Sequence, residues 1–174
     1  MQHSESNFTE QGLTEPYIIG IIVESDRLTR KHHLITRVLN YITSAANNNH
    51  RRVRILMGLR NSYELTLARQ LITLKHTYSN IYVELLISDN QFNKFCRWTK
   101  GISNCNYSDV ISYADGYNIL HTYHPVDFFR TLIQYITQNC DELLYGIYHS
   151  YHIELLHSIT QHQSIRCVSI YLGL

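Results

Sequence analysis

Residues Tyr17–Val23 read YIIGIIV, an apolar run with no polar position on either face. A half-exposed strand alternates apolar and polar side chains. A strand that is apolar on both faces must be covered on both, as in a parallel sheet between two helical layers. Apolar runs return at 53–57, 81–87, 116–120, 143–148 and 168–172. Between them the apolar spacing becomes helical. Leu34, Ile35, Val38, Leu39 and Ile42 mark a helix over 30–46, and Leu65, Ala68, Leu71, Ile72 and Leu74 one over 62–77. Shorter helical stretches fall at 90–100 and 107–113. Pro125 can open the next helix, whose stripe is Phe128, Phe129, Leu132, Ile133 and Ile136. Ile153, Leu155, Leu156 and Ile159 mark the last. Strand and helix alternate about six times, which predicts an α/β fold: a Rossmann-like three-layer sandwich with a mostly parallel sheet of five to six strands. The polar stretch 1–16 reads as a flexible N-terminal segment, and 17–174 as a single domain.

Composition narrows the function classes. The chain has 174 residues, 44% hydrophobic and 17% charged, enough to bury a core without disulfides or a structural metal. A net charge of +1 gives no global electrostatic case for nucleic acid or a membrane surface. The basic stretch His50, Arg51, Arg52 and Arg54 reads as a solvated strand start. No apolar run reaches the ~18 residues of a membrane span. Cys96, Cys105, Cys140 and Cys167 form no C-x-x-C pair and no secretory signal precedes them, so they read as reduced thiols of a cytoplasmic protein. The 14 tyrosines suit the core boundary, or alternatively a surface for self-association or a protein partner.

In a parallel sheet, ligands bind beyond the carboxyl ends of the strands, where the strand order reverses. That directs attention to the loops after each strand. After the first come Glu24, Ser25, Asp26 and Arg27, where a carboxylate can hold a ribose hydroxyl. After the second come Gly58, Arg60, Asn61 and Ser62, leading into a helix whose free N–H groups and nearby guanidinium suit an anion, with Ser62 as the expected N-cap. Asp89 and Gln91 follow the third strand, while Asp115 and Asp141 are expected to hold element ends by local hydrogen bonds. The fifth strand, in CDELLYGIYHSYH over 140–152, runs into Tyr148, His149, Ser150, Tyr151 and His152 instead of a glycine-rich phosphate loop. His121 with His124, and His149 with His152, follow strands expected to be neighbours, so the four could converge on zinc. The H-x-x-H spacing is loose and 11 histidines produce such pairs by chance, so no metal or other cofactor is assigned.

Three pieces, in order, resemble the SLOG superfamily of Rossmann-like proteins, most closely its YpsA/YoqJ-like branch. Ser88, Asp89, Asn90 and Gln91 with Phe95 or Trp98 resemble that family's strand end followed by glutamine and tryptophan. Tyr107, Val110, Ile111, Ala114 and Asp115 resemble its tyrosine, apolar pair and alanine-aspartate. Tyr135, Ile136, Cys140, Asp141, Leu143, Leu144 and Tyr148 resemble its helix end and following strand. The resemblance implies a sensor of nucleotides or NAD-derived ligands, held by glycine-rich loops after the second and fifth strands; some distant relatives cleave N-glycosidic bonds. Here the first loop keeps only Gly58, the second has no glycine, and the family's arginine in the following helix falls near Leu132, with Arg130 displaced from it. The expectation is a non-catalytic protein that captures or senses a nucleotide-derived small molecule resembling NAD or ADP-ribose. Its contacts would be Ser25, Arg27, Gly58, Arg60, Asn61, Ser62, Asp89 and Tyr148. The alternatives are a scaffold acting through protein contacts and, less favoured, an N-glycosidic hydrolase or transferase using Glu24 or Glu64.

Overall fold

The computed structural model describes residues 15–24, 31–48, 51–99, 107–122, 127–147, 149–161 and 163–170, with backbone only at 31, 32, 94, 95 and 97–99. The strands are β1 (Tyr17–Val23), β2 (Val53–Gly58), β3 (Ile81–Ser88), β4 (Gly116–Leu120), β5 (Glu142–Gly146) and β6 (Arg166–Ser169). The helices are α1 (Lys31–Asn48), α2 (Ser62–Leu74), α3 (Asp89–Thr99), α4 (Ser108–Tyr113), α5 (Phe128–Asn139) and α6 (Ser150–Thr160). All six strands lie in one sheet in the order β4-β3-β2-β1-β5-β6, and every pairing is parallel. The fold is therefore the expected α/β sandwich. No helix of the described residues is long and apolar enough to cross a membrane.

Period-two alternation along the central strands feeds two cores. Ile19, Ile21 and Val23 of β1, with Val53, Ile55 and Met57 of β2, face α1, α2 and α4. On the other face Ile22, Leu56, Leu86 and Leu120 meet α5 and α6, through Phe129, Leu132, Ile133, Ile136 and Leu156. Two glycines set how closely α5 approaches the sheet. A Cβ on Gly20 would overlap Ile136 Cγ2, and one on Gly58 would stand 2.6 Å from Leu132 Cδ2. The missing side chains are the space that α5 fills.

The chain walks from β1 through β2 and β3 to β4, then returns across the sheet to place β5 on the opposite side of β1. The order thus reverses between β1 and β5. This arrangement corrects one expectation: β4 and β5 are separated by β3, β2 and β1. Whether two parallel strands consecutive in sequence are neighbours in the sheet depends on the crossover between them, and this crossover passes three strands.

Other differences are local. β5 ends at Gly146, before the predicted limit of 148, because its register with β1 ends at Val23↔Gly146 and the pairing with β6 ends at Tyr145↔Ser169. The N-cap of α2 is Asn61, with Ser62 as first helical residue. Extended backbone at Asn61 (φ −147°, ψ 174°) lets its Oδ1 accept from the N–H groups of Tyr63 and Glu64. Asp115 and Asp141 do bind strand starts, accepting from Val83 N–H and Ile18 N–H respectively, but these bonds cross to neighbouring strands and are not the local bonds expected. Pro125 and the residues from 171 lie outside the described residues.

Candidate functional site

The β1/β5 register brings three chain segments together at the carboxyl edge of the sheet. Glu24 follows β1 directly, and its N–H donates to Gly146 O at 2.8 Å. Arg60 follows β2, one strand over. His152 stands in the first turn of α6, directly after β5. Phe129, at the start of α5, comes from the layer above.

These side chains form one cluster. Arg60 donates from Nε and Nη2 to Glu64 Oε1, at 2.8 and 2.6 Å, and its backbone N–H donates to Glu64 Oε2. Arg60 Nη2 also reaches Val23 O at 2.7 Å, and Nη1 lies 3.9 Å from Glu24 Oε1. The guanidinium sits 4.2 Å from the centre of the Phe129 ring, a cation–π distance. On the neighbouring side the His152 ring lies 4.2 Å from Phe129, and its Nδ1–H donates to Glu24 Oε1. His149 packs edge-on to His152 at 5.6 Å.

The electrostatics of this group follow from its burial. Glu64 retains 2% side-chain exposure, Glu24 11% and Arg60 15%. A fully buried carboxylate without partners would be strongly unfavourable, and Glu64 avoids this by placing both oxygens on Arg60. Glu64 and Glu24 thus both lie beside the Arg60 guanidinium, and Glu24 also accepts from His152.

The structure does not bring all of the sequence-predicted contacts together. Arg60 lies at the centre of the cluster. Asn61 and Ser62 lie beside it, but Asn61 spends its side-chain oxygen on the α2 N-terminus, and Ser62 is exposed with its carbonyl taken by Thr66 Oγ1. Gly58 lies under Leu132, where its smallness serves α5 packing. Asp89 sits apart at the β3/β4 edge, accepting from His121 Nδ1 at 2.6 Å and from Thr122 N–H at 3.4 Å. Two strand spacings, roughly 10 Å, separate β3 from β1. Gln91 caps the β3 end through Ser88 N–H at 2.8 Å. Ser25, Arg27, Tyr148 and His124 lie outside the described residues.

The separation of β4 from β5 removes the four-histidine zinc geometry. His121 pairs with Asp89 and His152 with Glu24, and among the described residues no group of three or more His, Cys, Asp or Glu is placed to hold a metal. The sequence reading missed Phe129 and His152 as partners of Arg60 and Glu24. Phe129 read as part of a core stripe, which it also is, and His152 read only as half of an H-x-x-H pair. One usable signal was the Asn61-x-x-Glu64 spacing, the pattern of a helix capping box. Its acidic member here reaches Arg60, one residue before the cap.

No family model matches the sequence, and the search of curated proteins gives no match.

Proposed function

We propose that this chain is a non-catalytic, cytoplasmic binding module that captures or senses a nucleotide-derived small molecule, of the NAD or ADP-ribose kind, in the crevice between β1 and β5. The observation that carries the reading is the convergence of Glu24, Arg60, Glu64 and His152 where the strand order reverses. That is where ligands of doubly wound sheets bind. Charged groups are expensive to bury, and apolar side chains of similar volume often fill such a place with equal or greater stability. A mostly buried cluster of four ionisable groups at this position is therefore better explained by recognition than by folding.

The same geometry refines which part of the ligand is held. The α2 N–H groups of Tyr63 and Glu64 are taken by Asn61, and Arg60 carries its own carboxylate in Glu64. A phosphate would compete with both. The Glu24 carboxylate and the His152 ring suit sugar hydroxyls, so the ribose is the recognised part. Among the described residues the other carboxylate of the cluster, Glu64, is fixed on Arg60 rather than free to shuttle a proton for N-glycosidic acid–base chemistry.

Thermal-shift assays with NAD, ADP-ribose and cyclic AMP test the reading. A ligand at about 100 times its Kd adds about 2.7 kcal/mol, or about 5–10 °C for a chain of this size. That shift is expected for at least one ribose-bearing compound and should be lost in Glu24→Gln. Folded protein with no shift across the panel would overturn the proposal. A second reading, a scaffold working through self-association or a protein partner, is favoured by Tyr151 and Tyr113, 64% and 70% exposed, the first beside the crevice. Light scattering that shows a dimer which Tyr151→Ser disrupts, with no ligand-induced shift, would select it.

A further inference from the structure

A second candidate site lies at the opposite, amino edge of the sheet and is independent of the crevice. Six strands at about 4.8 Å spacing make a sheet about 24 Å wide, while two helices of about 10 Å diameter cover about 20 Å. Among the described residues this leaves part of the β2–β4 edge on the α5/α6 face uncovered. A cavity of about 260 Å³ occupies that place, lined by Pro16, Arg52, Arg54, Tyr82, Glu84 and Gly116 among others.

The floor of this cavity is electrostatically closed. Arg54 donates from Nε to Glu84 Oε2 at 2.8 Å, with Nη2 on the same oxygen, and Glu84 Oε1 takes the Asn118 amide. Asn118 also donates to Tyr135 Oη at 3.0 Å, at the border with α5. Asp115, at the rim, is held by Lys75 Nζ at 2.7 Å and Val83 N–H at 2.7 Å. Arg52 differs from these. Its guanidinium lies over the Tyr82 ring at 5.3 Å. A guanidinium held over a ring by the cation–π attraction can still offer N–H groups to a bidentate oxyanion.

We infer that this cavity is a second ligand site, taking a small anion with a planar apolar body, of the aryl phosphate or aryl carboxylate class, whose oxyanion pairs with Arg52. The neutralised floor neither repels nor satisfies an anion, so Arg52 supplies the net charge. The volume is below the ~300–1,000 Å³ of most small-molecule sites, which suits a single ring with one acidic group and excludes a dinucleotide. Two arginines of the basic stretch thus serve a small-molecule site, Arg54 in its floor and Arg52 at its rim.

Backbone amide NMR titrations of the intact chain test this, with phenyl phosphate, benzoate, inorganic phosphate and benzyl alcohol as probes. Saturable shifts are expected at Tyr82, Val83 and Gly116 with phenyl phosphate or benzoate, with the Glu24 and His152 signals unmoved. Arg52→Gln should weaken binding by about tenfold or more. Gly116→Ala should weaken it without unfolding, because the added Cβ enters the cavity and meets nothing closer than Glu84 Cγ at 4.0 Å. Four results would overturn the proposal: no saturable shift with either aryl anion, equal affinity in Arg52→Gln, equal affinity for benzyl alcohol, or equal affinity for inorganic phosphate.

Discussion

Gly58→Ala separates two meanings of a glycine at the end of β2. In a phosphate-cradling loop, glycine lets backbone N–H groups approach the ligand, and a methyl group there costs binding. Here the added Cβ would stand 2.6 Å from Leu132 Cδ2 and 3.2 Å from Cδ1. Ordinary carbon contacts begin near 3.5–4.0 Å, so the two groups must separate by about 1 Å. Leu132 is fully buried in the α5 core and has no solvent to move into. Overpacking of this kind costs about 1–3 kcal/mol. Leu132→Ala alone leaves a cavity and costs about 2–5 kcal/mol. In the double variant the new methyl occupies space that Leu132 vacates, so the losses should fall short of their sum by about 1 kcal/mol or more. Urea unfolding of the four proteins measures this, with the slope of each transition checked for two-state behaviour. Strict additivity, or a Gly58→Ala protein of unchanged stability, would refute the packing account and return Gly58 to the ligand loop.

Three further outcomes follow from the same contacts. Glu64→Gln leaves Arg60 with a neutral partner in a mostly buried place and should cost about 3 kcal/mol by urea unfolding, more than the ~1 kcal/mol expected for the cap variant Asn61→Ala; equal losses would mean the Arg60–Glu64 pair contributes no more than a cap. Tyr17 and Tyr41 both donate to the buried Glu142, at 2.8 and 2.6 Å. Burial, then the Glu142 hydrogen bond and charge, pushes Tyr41 up from 10.0 to about 12 and Tyr17 further. The folded state therefore holds protons the unfolded state releases, so this stabilisation is complete below pH ~10 and lost as pH rises toward ~12. Unfolding midpoints measured across that window should fall in the wild type and fall less in the Tyr17→Phe/Tyr41→Phe variant; parallel curves would contradict it. Asp141→Ala removes the acceptor for Ile18 N–H at 2.7 Å and should cost about 1 kcal/mol by the same unfolding assay.

Much of the fold was legible because its signals are local. The runs at Tyr17–Val23 and Gly116–Leu120 coincide with β1 and β4, since their apolar character is interrupted on both sides by polar or turn residues. The end of β5 was not legible, because Ile147 and Tyr148 continue the apolar run while the partner strands have already ended. Strand order was also hidden: nothing in the sequence around His121 and His149 states that three strands lie between them. For the candidate site, Glu24, Arg60 and His152 do stand just beyond strand ends, but their pairing was not legible in the sequence. Arg60 beside a helix start reads as an anion contact, and only the correct placement of the cap on Asn61 puts Glu64 in reach of it. Glu24, read from the sequence as a ribose contact, is nearly buried because His152 and Phe129 arrive from α6 and α5, far away in sequence.

The central claim is that the Glu24–Arg60–Glu64–His152 cluster recognises the ribose of a nucleotide-derived molecule. Isothermal titration of ADP-ribose into the wild type, Glu24→Gln and Arg52→Gln proteins tests it most directly. Saturable one-to-one binding to the wild type is expected, with weakening of about tenfold or more in Glu24→Gln and unchanged affinity in Arg52→Gln. Equal affinity in the wild type and Glu24→Gln proteins, or no binding heat at millimolar ADP-ribose, would contradict it.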